Sequence, residues 1–217
     1  MQSLNVMVQQ GKVLYLGVSD TPAWVVSRAN QYARDHGLRQ FSVYQGRWSA
    51  EHRDFERDII QMASAEGMSL APWGALGGGH FKTEAQRSAG DTARKFGEAS
   101  EKSYKISKVL EKIANEKKVQ LTSIALAYVM SKTPYVFPIV GGRTIEHLKG
   151  NIQGLTITLS AEDIEEIEAV SSFDIGFPQN ILGGPKGVKT PNDVWLMSMA
   201  GIQDHVQAPQ SLGPHKL

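Results

Sequence analysis

The residues best suited to chemistry lie in Phe137-Pro-Ile-Val-Gly-Gly-Arg-Thr-Ile-Glu-His-Leu-Lys-Gly-Asn151, where a short apolar run ends in Gly141-Gly142-Arg143 and a helical pattern begins at once. Two glycines permit close backbone approach and dihedrals that other residues resist. Thr144 can cap a helix whose free N–H groups and dipole attract an anion, and Arg143 offers a planar fork to phosphate oxygens. Ile145, Leu148 and Ile152 share one helical face, which leaves His147 and Asn151 near the other side of the first two turns. The stretch reads as a phosphate seat. Its plainer alternative is an ordinary αβ turn with a solvated arginine, and the elements that precede it must decide.

Those elements alternate. Leu4, Met7 and Val8 fall at helical spacing before Gly11, so the chain opens on a helix. Val13 to Val18 reads as a strand apolar on both faces, the kind buried in a parallel sheet, and Ser19-Asp20 close it. Thr21-Pro22 starts a helix with proline at its first position and Val25, Ala29, Tyr32 and Ala33 in one stripe, ended by Gly37. Phe41 to Gln45 is a second strand, and Phe55, Ile59, Met62 and Ala63 mark a helix that Gly67 terminates. Ser69 to Trp73 is a third strand, weakened by Pro72, which cannot donate to a ladder.

From Gly74 to Ser100 the periodicity fades through Gly77-Gly78-Gly79, Lys82, Arg87, Arg94 and Lys95, the pattern of a lid or a disordered loop. Two helices follow, on Ile106, Val109, Leu110 and Ile113 and on Leu121, Ile124, Ala125 and Tyr128. Val136 to Val140 is the fourth strand, with its helix over 144–153. Ser160-Ala-Glu-Asp163 has the form of a capping box for a last helix carrying Ile164, Ile167 and Val170. Residues 1–172 therefore read as the folded unit. From Phe173 onward Gly, Pro, Asn and Gln dominate, so 173–217 reads as a tail that wraps the body or hangs free.

Strands alternating with helices imply an α/β fold with a parallel sheet, either doubly wound or a barrel. Four strands are half of what a closed (β/α)8 barrel requires. Polar or glycine residues follow all four at their C-terminal ends, the face where ligands gather in such folds. At 217 residues and 41% hydrophobic content the chain can bury a real core. A net charge of +1 gives no electrostatic case for nucleic acid or an anionic membrane. Cysteine is absent, which excludes thiolate catalysis and suits the cytosol, and the six histidines lack metal-ligand spacing. No apolar run approaches the roughly 20 residues of a spanning helix.

Gly11-Lys-Val with Leu16-Gly-Val-Ser-Asp20, Val43-Tyr-Gln45, Ala71-Pro-Trp-Gly-Ala-Leu-Gly-Gly-Gly79 and Pro138 to Asn151 occur in an order and spacing that resemble the second half of an aldo-keto reductase. Phe173-Asp-Ile-Gly-Phe-Pro178 narrows the likeness to the fungal aryl-alcohol dehydrogenase and norsolorinic acid reductase branch. The resemblance implies the C-terminal half of a (β/α)8 barrel and NADP as the cofactor, laid across the strand C-termini. It implies an aromatic carbonyl or alcohol as the substrate. Ser19, Asp20 and Gln45 match residues that hold the nicotinamide carboxamide. Asp20 stands where the family usually has Asn, and a carboxylate only accepts hydrogen bonds. Its alternative role is to cap the helix that follows. Trp73 matches the aromatic that stacks on the nicotinamide, with core packing as the alternative. Gly74, Ala75, Leu76 and Gly77 would border the pyrophosphate. Gly141, Gly142, Arg143, His147 and Asn151 match the region that binds the adenosine and its 2′-phosphate, with Gly141 in place of a frequent lysine.

The family's Asp, Tyr, Lys and His tetrad lies on the first four strands, and no residue here matches any of them. Tyr15 and Tyr44 read as packing residues, and His52 and His80 follow strand ends where they are either proton donors or solvated. No catalytic residue is assigned. Half a barrel would also leave inward faces and two strand edges in water, which predicts self-association or cover by the termini. Three functions fit: an NADP-binding reductase half, a non-catalytic scaffold derived from it, and a phosphate-ligand lyase or isomerase. The last is disfavoured, because no lysine stands at a strand C-terminus to form a Schiff base.

Overall fold

The computed structural model describes residues 1–89, 98–170, 172–184, 188, 190, 193–201, 211 and 213. Helix α1 (Gln2–Gln9) precedes β1 (Leu16–Ser19), α2 (Ala23–Asp35), β2 (Phe41–Arg47), a 3-10 turn (Asp54–Glu56), α3 (Ile59–Glu66) and β3 (Ser69–Trp73). There follow α4 (Glu84–Ser88), α5 (Glu101–Lys117), α6 (Leu121–Ser131), α7 (Ile145–Gln153), α8 (Ala161–Ala169) and α9 (Trp195–Ala200). The three strands form one parallel sheet in the order β1-β2-β3. Arg94 and Lys95, expected in a long loop, lie outside the described residues, and the part of that loop from Thr83 is helical, started by a Thr83–Gln86 capping box.

The expected fourth strand appears only as a bridge between Leu70 and Val136. Leu70 N–H donates to Tyr135 O (2.9 Å), Phe137 N–H to Leu70 O (2.8 Å) and Ile139 N–H to Pro72 O (2.8 Å). The bond that would continue this ladder needs an N–H on Pro72, and proline has none. Residues 136–140 thus run parallel beside β3 with one rung missing. On its other side β3 pairs with β2 through Ala71 and Trp73, so Pro72 interrupts only the outer seam.

Register and period-two alternation sort the sheet into two faces. Leu16, Tyr44, Leu70, Pro72 and Val136 are buried on the face covered by helices, where Val26, Met62, Ala63, Ile106, Leu110, Ile124 and Ile167 complete the core. Ser19, Gln45, Arg47, Trp73, Phe137 and Ile139 are exposed on the other. The reading of β1 as buried on both faces is corrected accordingly, since Gly17 is also exposed. Tyr15, expected to pack, is 80% exposed because β1 begins only after it. Tyr44 packs as expected: its ring meets Phe55 edge-on, and its hydroxyl donates to Thr21 O (2.7 Å) and accepts from Thr21 N–H (3.1 Å).

Two clusters tie helices to the sheet and the chain end to the body. Asn30 is fully buried, accepts from Phe41 N–H (2.8 Å) and donates to Phe41 O (3.2 Å), which fastens α2 to the start of β2. Beyond β2, Arg53 forms a fork on Glu56 (2.9 and 2.7 Å) and reaches Glu168 (3.1 Å), while Lys132 contacts both carboxylates. The rings of Arg53 and Arg57 contacts meet on Phe173, at 4.8 and 4.7 Å from its centroid, and Arg57 donates to Asp174 O. Residues 173–174 are held against the body by these groups.

Burial by itself would raise the Glu56 carboxyl, but hydrogen bonding from Arg53 and the charge of Lys132 outweigh it and hold the group below its usual value. A depressed carboxylate stabilises the fold above its unfolded value of about 4.5 and loses that contribution as pH falls through the folded value. Denaturant unfolding between pH 7 and pH 3 should therefore show stability falling below about pH 4.5. Glu56→Gln should lower stability at pH 7 and flatten that fall, with the residual slope coming from Glu66 and Asp163, which are also depressed. Arg53→Met should cost about 3 kcal/mol or more, because it strands buried carboxylates.

Candidate functional site

The site is built from strand ends. Ser19 lies opposite Gln45 and Gln45 opposite Ala71, one row across three strands about 4.8 Å apart. The next row pairs Arg47 with Trp73. Ile139 N–H on Pro72 O brings the following residues, Gly141 to Arg143, to the same end of the sheet. Ser19, Gln45, Trp73 and Arg143 therefore gather at the strand C-termini, on or beside the open face.

Asp20 takes a left-handed backbone (φ 49°) and accepts from Ser19 Oγ (2.8 Å). It does not cap α2, whose N-cap is Pro22 with no side-chain bond, because the tight turn aims the carboxylate back at Ser19. With its proton given to Asp20, the Ser19 oxygen keeps lone pairs to accept an N–H. The exposed Gln45 amide offers both a donor and an acceptor. Trp73 is 37% exposed, so its alternative reading as a core residue is set aside.

The turn after β3 is set by glycine geometry. Gly74 (φ 75°) accepts from Gly77 N–H (2.8 Å), and Gly77 (φ 69°) accepts from His80 N–H (3.0 Å). A Cβ on Gly77 would lie 2.6 Å from the Phe81 ring. Ala75 is buried and anchors the turn, with Leu76 half-buried beside it. His80 and Lys82, in the chain that follows, are buried as well.

The glycine pair before α7 works differently from expectation. Neither Gly141 nor Gly142 adopts a positive φ, and a Cβ at Gly141 would meet nothing within 4 Å. Gly142 is required for space instead, since its Cβ would lie 2.7 Å from His147 Cβ. Thr144 caps α7 by accepting from His147 N–H (3.3 Å), and His147 Nδ1 accepts from Arg143 N–H (3.2 Å). His147 thus organises the loop, whereas Arg143 is exposed and Asn151 half-buried one turn on. The helical face of Ile145, Leu148 and Ile152 is exposed, and the buried position of α7 is Gly150, whose carbonyl accepts from Ser123 Oγ (2.7 Å).

Two cations escaped the sequence reading. β2 continues to Arg47, which flanks Gly74 with its Cγ 3.7 Å from that glycine's Cβ direction. Counting two residues on from Gln45 would have found it. Burial and then Arg47 lower the His52 pKa, so His52 stays neutral near pH 7 beside a fixed positive charge. Lys82, read as a loop lysine, is buried behind the glycine turn. Together these residues could hold an elongated anion with an amide at one end and phosphates at the other. Among the described residues no group of three His, Asp or Glu could hold a metal ion, and no helix is long and apolar enough to cross a membrane.

The family model for the aldo/keto reductase family matches residues 1–172. Norsolorinic acid reductase B of Dothistroma septosporum is 56% identical over 224 residues, covering 99% of this chain and 57% of that protein. An aryl-alcohol dehydrogenase of Pestalotiopsis microspora is 49% identical over 216 residues, covering 100% of this chain and 56% of that one. The chain spans little more than half the length of these relatives. The crystal structure of a thermostable aldo-keto reductase in complex with the inhibitor epalrestat superposes with a TM-score of 0.58 at 24% identity, over 78% of this chain and 53% of that one. The fold is accordingly part of such a barrel.

Gly77→Ala should destabilise the protein by about 1–3 kcal/mol, because both its φ and the Phe81 ring oppose a side chain. A thermal melt should fall by roughly 2–4 °C per kcal/mol. Gly141→Ala should leave the melt unchanged.

Proposed function

Since the chain belongs to the aldo/keto reductase family, we propose that it binds NADP(H) across the C-terminal ends of its strands and serves the reduction of an aromatic aldehyde or ketone, or the reverse oxidation of an alcohol. The observation that carries this reading is the single row of Ser19, Gln45 and Trp73 ending at Arg143. Ser19 would accept from the carboxamide NH2 and Gln45 would donate to its carbonyl. Trp73 would lie against the nicotinamide ring, as a flat apolar face suits a flat heterocycle. The Gly74–Gly77 turn, with Arg47 beside it, would take the pyrophosphate, and Arg143 with the N-terminus of α7 would take the 2′-phosphate. When bound, the cofactor supplies the hydride. These residues orient it and shield one of its faces.

Reduction of a carbonyl also needs an acid at the developing oxyanion. Tyr15 precedes its strand, the Tyr44 hydroxyl is engaged on both sides by Thr21, and Tyr128 is buried, which raises its pKa and makes it a poor acid. We therefore assign this chain the cofactor-holding role and leave proton donation to groups outside it. A scaffold that binds a partner without cofactor is the competing reading, favoured by the uncovered sheet face.

The chain has four tryptophans, so binding should be followed as the NADPH-dependent quenching that disappears in Trp73→Phe. Gln45→Ala should weaken NADPH by about tenfold, the effect of one lost hydrogen bond. Arg143→Gln should weaken it about 10- to 100-fold with little effect on NADH, the effect of a lost charged contact. No quenching at millimolar NADPH would favour the scaffold. Steady loss of NADPH with an aromatic aldehyde, from this chain alone, would overturn the division of roles.

A further inference from the structure

We propose that two copies of this chain associate through their open lateral edges about a twofold axis parallel to the strands, closing an eight-stranded cylinder. The chain exposes 13289 Å². A compact folded monomer of its 23.8 kDa exposes about 9,900 Å². The difference, roughly 3,400 Å², exceeds the 600–1,000 Å² that each partner contributes to a standard stable interface. Even if half of it belongs to residues 173–217, enough remains for a large one.

The surplus apolar surface lies at the two ends of the sheet. At one end, β1 has no neighbour on its outer side among the described residues, Leu14 and Tyr15 are both 80% exposed, and α1 presents Leu4, Val6 and Met7. At the other, the outer side of 136–140 is open, Tyr135, Phe137 and Ile139 are exposed, and α7 presents Ile145, Leu148 and Ile152. Amphipathic stripes of this kind normally face a neighbour. Here one stripe flanks each edge.

The two ends are complementary. All four strand segments run in one direction, and a twofold axis along that direction preserves it. β1 of one protomer then meets 136–140 of its partner in parallel, α7 of one lies beside α1 of the other, and the same contact recurs on the opposite side. A head-to-tail edge contact usually propagates, but this one closes after two copies because four strands subtend half of an eight-stranded cylinder. The outer side of 136–140 also carries Pro138, which has no N–H, so the seam depends on side-chain packing as well as on backbone bonds. Charge does not oppose the contact: the net charge is +1 per chain, and Gln2–Gln9 contains no charged side chain.

Sedimentation equilibrium without cofactor tests this separately from NADPH binding. At tens of micromolar the wild type should have about twice the 23.8 kDa chain mass. Leu148→Glu with Ile152→Glu should weaken association by at least about tenfold while circular dichroism stays unchanged, because both side chains already face water. Trp24→Glu, on the outer helix α2 and away from both edges, should leave the mass at that of the dimer. A monomeric wild type would overturn the proposal, even if it captured a separate four-stranded half barrel from another protein. So would open-ended oligomers, or equal dissociation by Trp24→Glu.

Discussion

Side-chain alternation along three parallel strands in fixed register is the constraint on which the rest depends. Because Tyr44 pairs with Leu70 and both turn toward the helices, Gln45 must turn away with Ser19 beside it. A one-residue slip in β2 would bury Gln45 and expose Tyr44, losing a hydrogen-bonded aromatic from the core and a polar group from the site at once. Core and site are two faces of one register.

Space around that register is held by residues with little to spare. Gly46 is the clearest case, since a Cβ there would lie 2.7 Å from Phe55, whose ring stacks on Trp48 and meets Tyr44 edge-on. The same Trp48 donates its indole N–H to Glu56 (3.3 Å), which links the aromatic cluster to the Arg53, Lys132 and Glu168 charges. One continuous set of contacts thus runs from β2 through α6 and α8 to Phe173. The end of the barrel-like unit is anchored to the strand that carries Gln45.

The chemistry and the incompleteness of the fold share a cause. A parallel sheet is normally covered on both faces, yet here the second face holds the candidate cofactor groups together with Phe137 and Ile139 in the open. Polar residues at the strand tips suit a ligand, whereas the apolar residues lower on the same face suit a protein neighbour. The described cavity of about 200 Å³, lined by Ala127, Met130, Val136, Gly154 and Leu159, lies behind the sheet near the start of 136–140 rather than at the strand tips. It belongs to packing rather than to the site.

Local signals in the sequence determined what local physics controls. The helix ends at Gly11, Gly37 and Gly67, the caps at Thr144 and Ser160, the bounds of β3 and the α/β alternation follow from residue type and spacing within one turn or strand. The site residues at the strand tips were legible because motif order carries over between related chains. Tertiary structure alone decided which apolar stripes found a partner: Leu4, Met7, Ile145 and Leu148 have the spacing of core residues and lie in water, because periodicity specifies a face but not its occupant. It also decided that Gly142 yields to His147 rather than to a turn, that Asp20 serves Ser19 rather than α2, and that Pro72 interrupts one seam of β3 and spares the other. Each of these depends on a neighbour remote in sequence or on the direction of a backbone bond, neither of which a single chain of letters records.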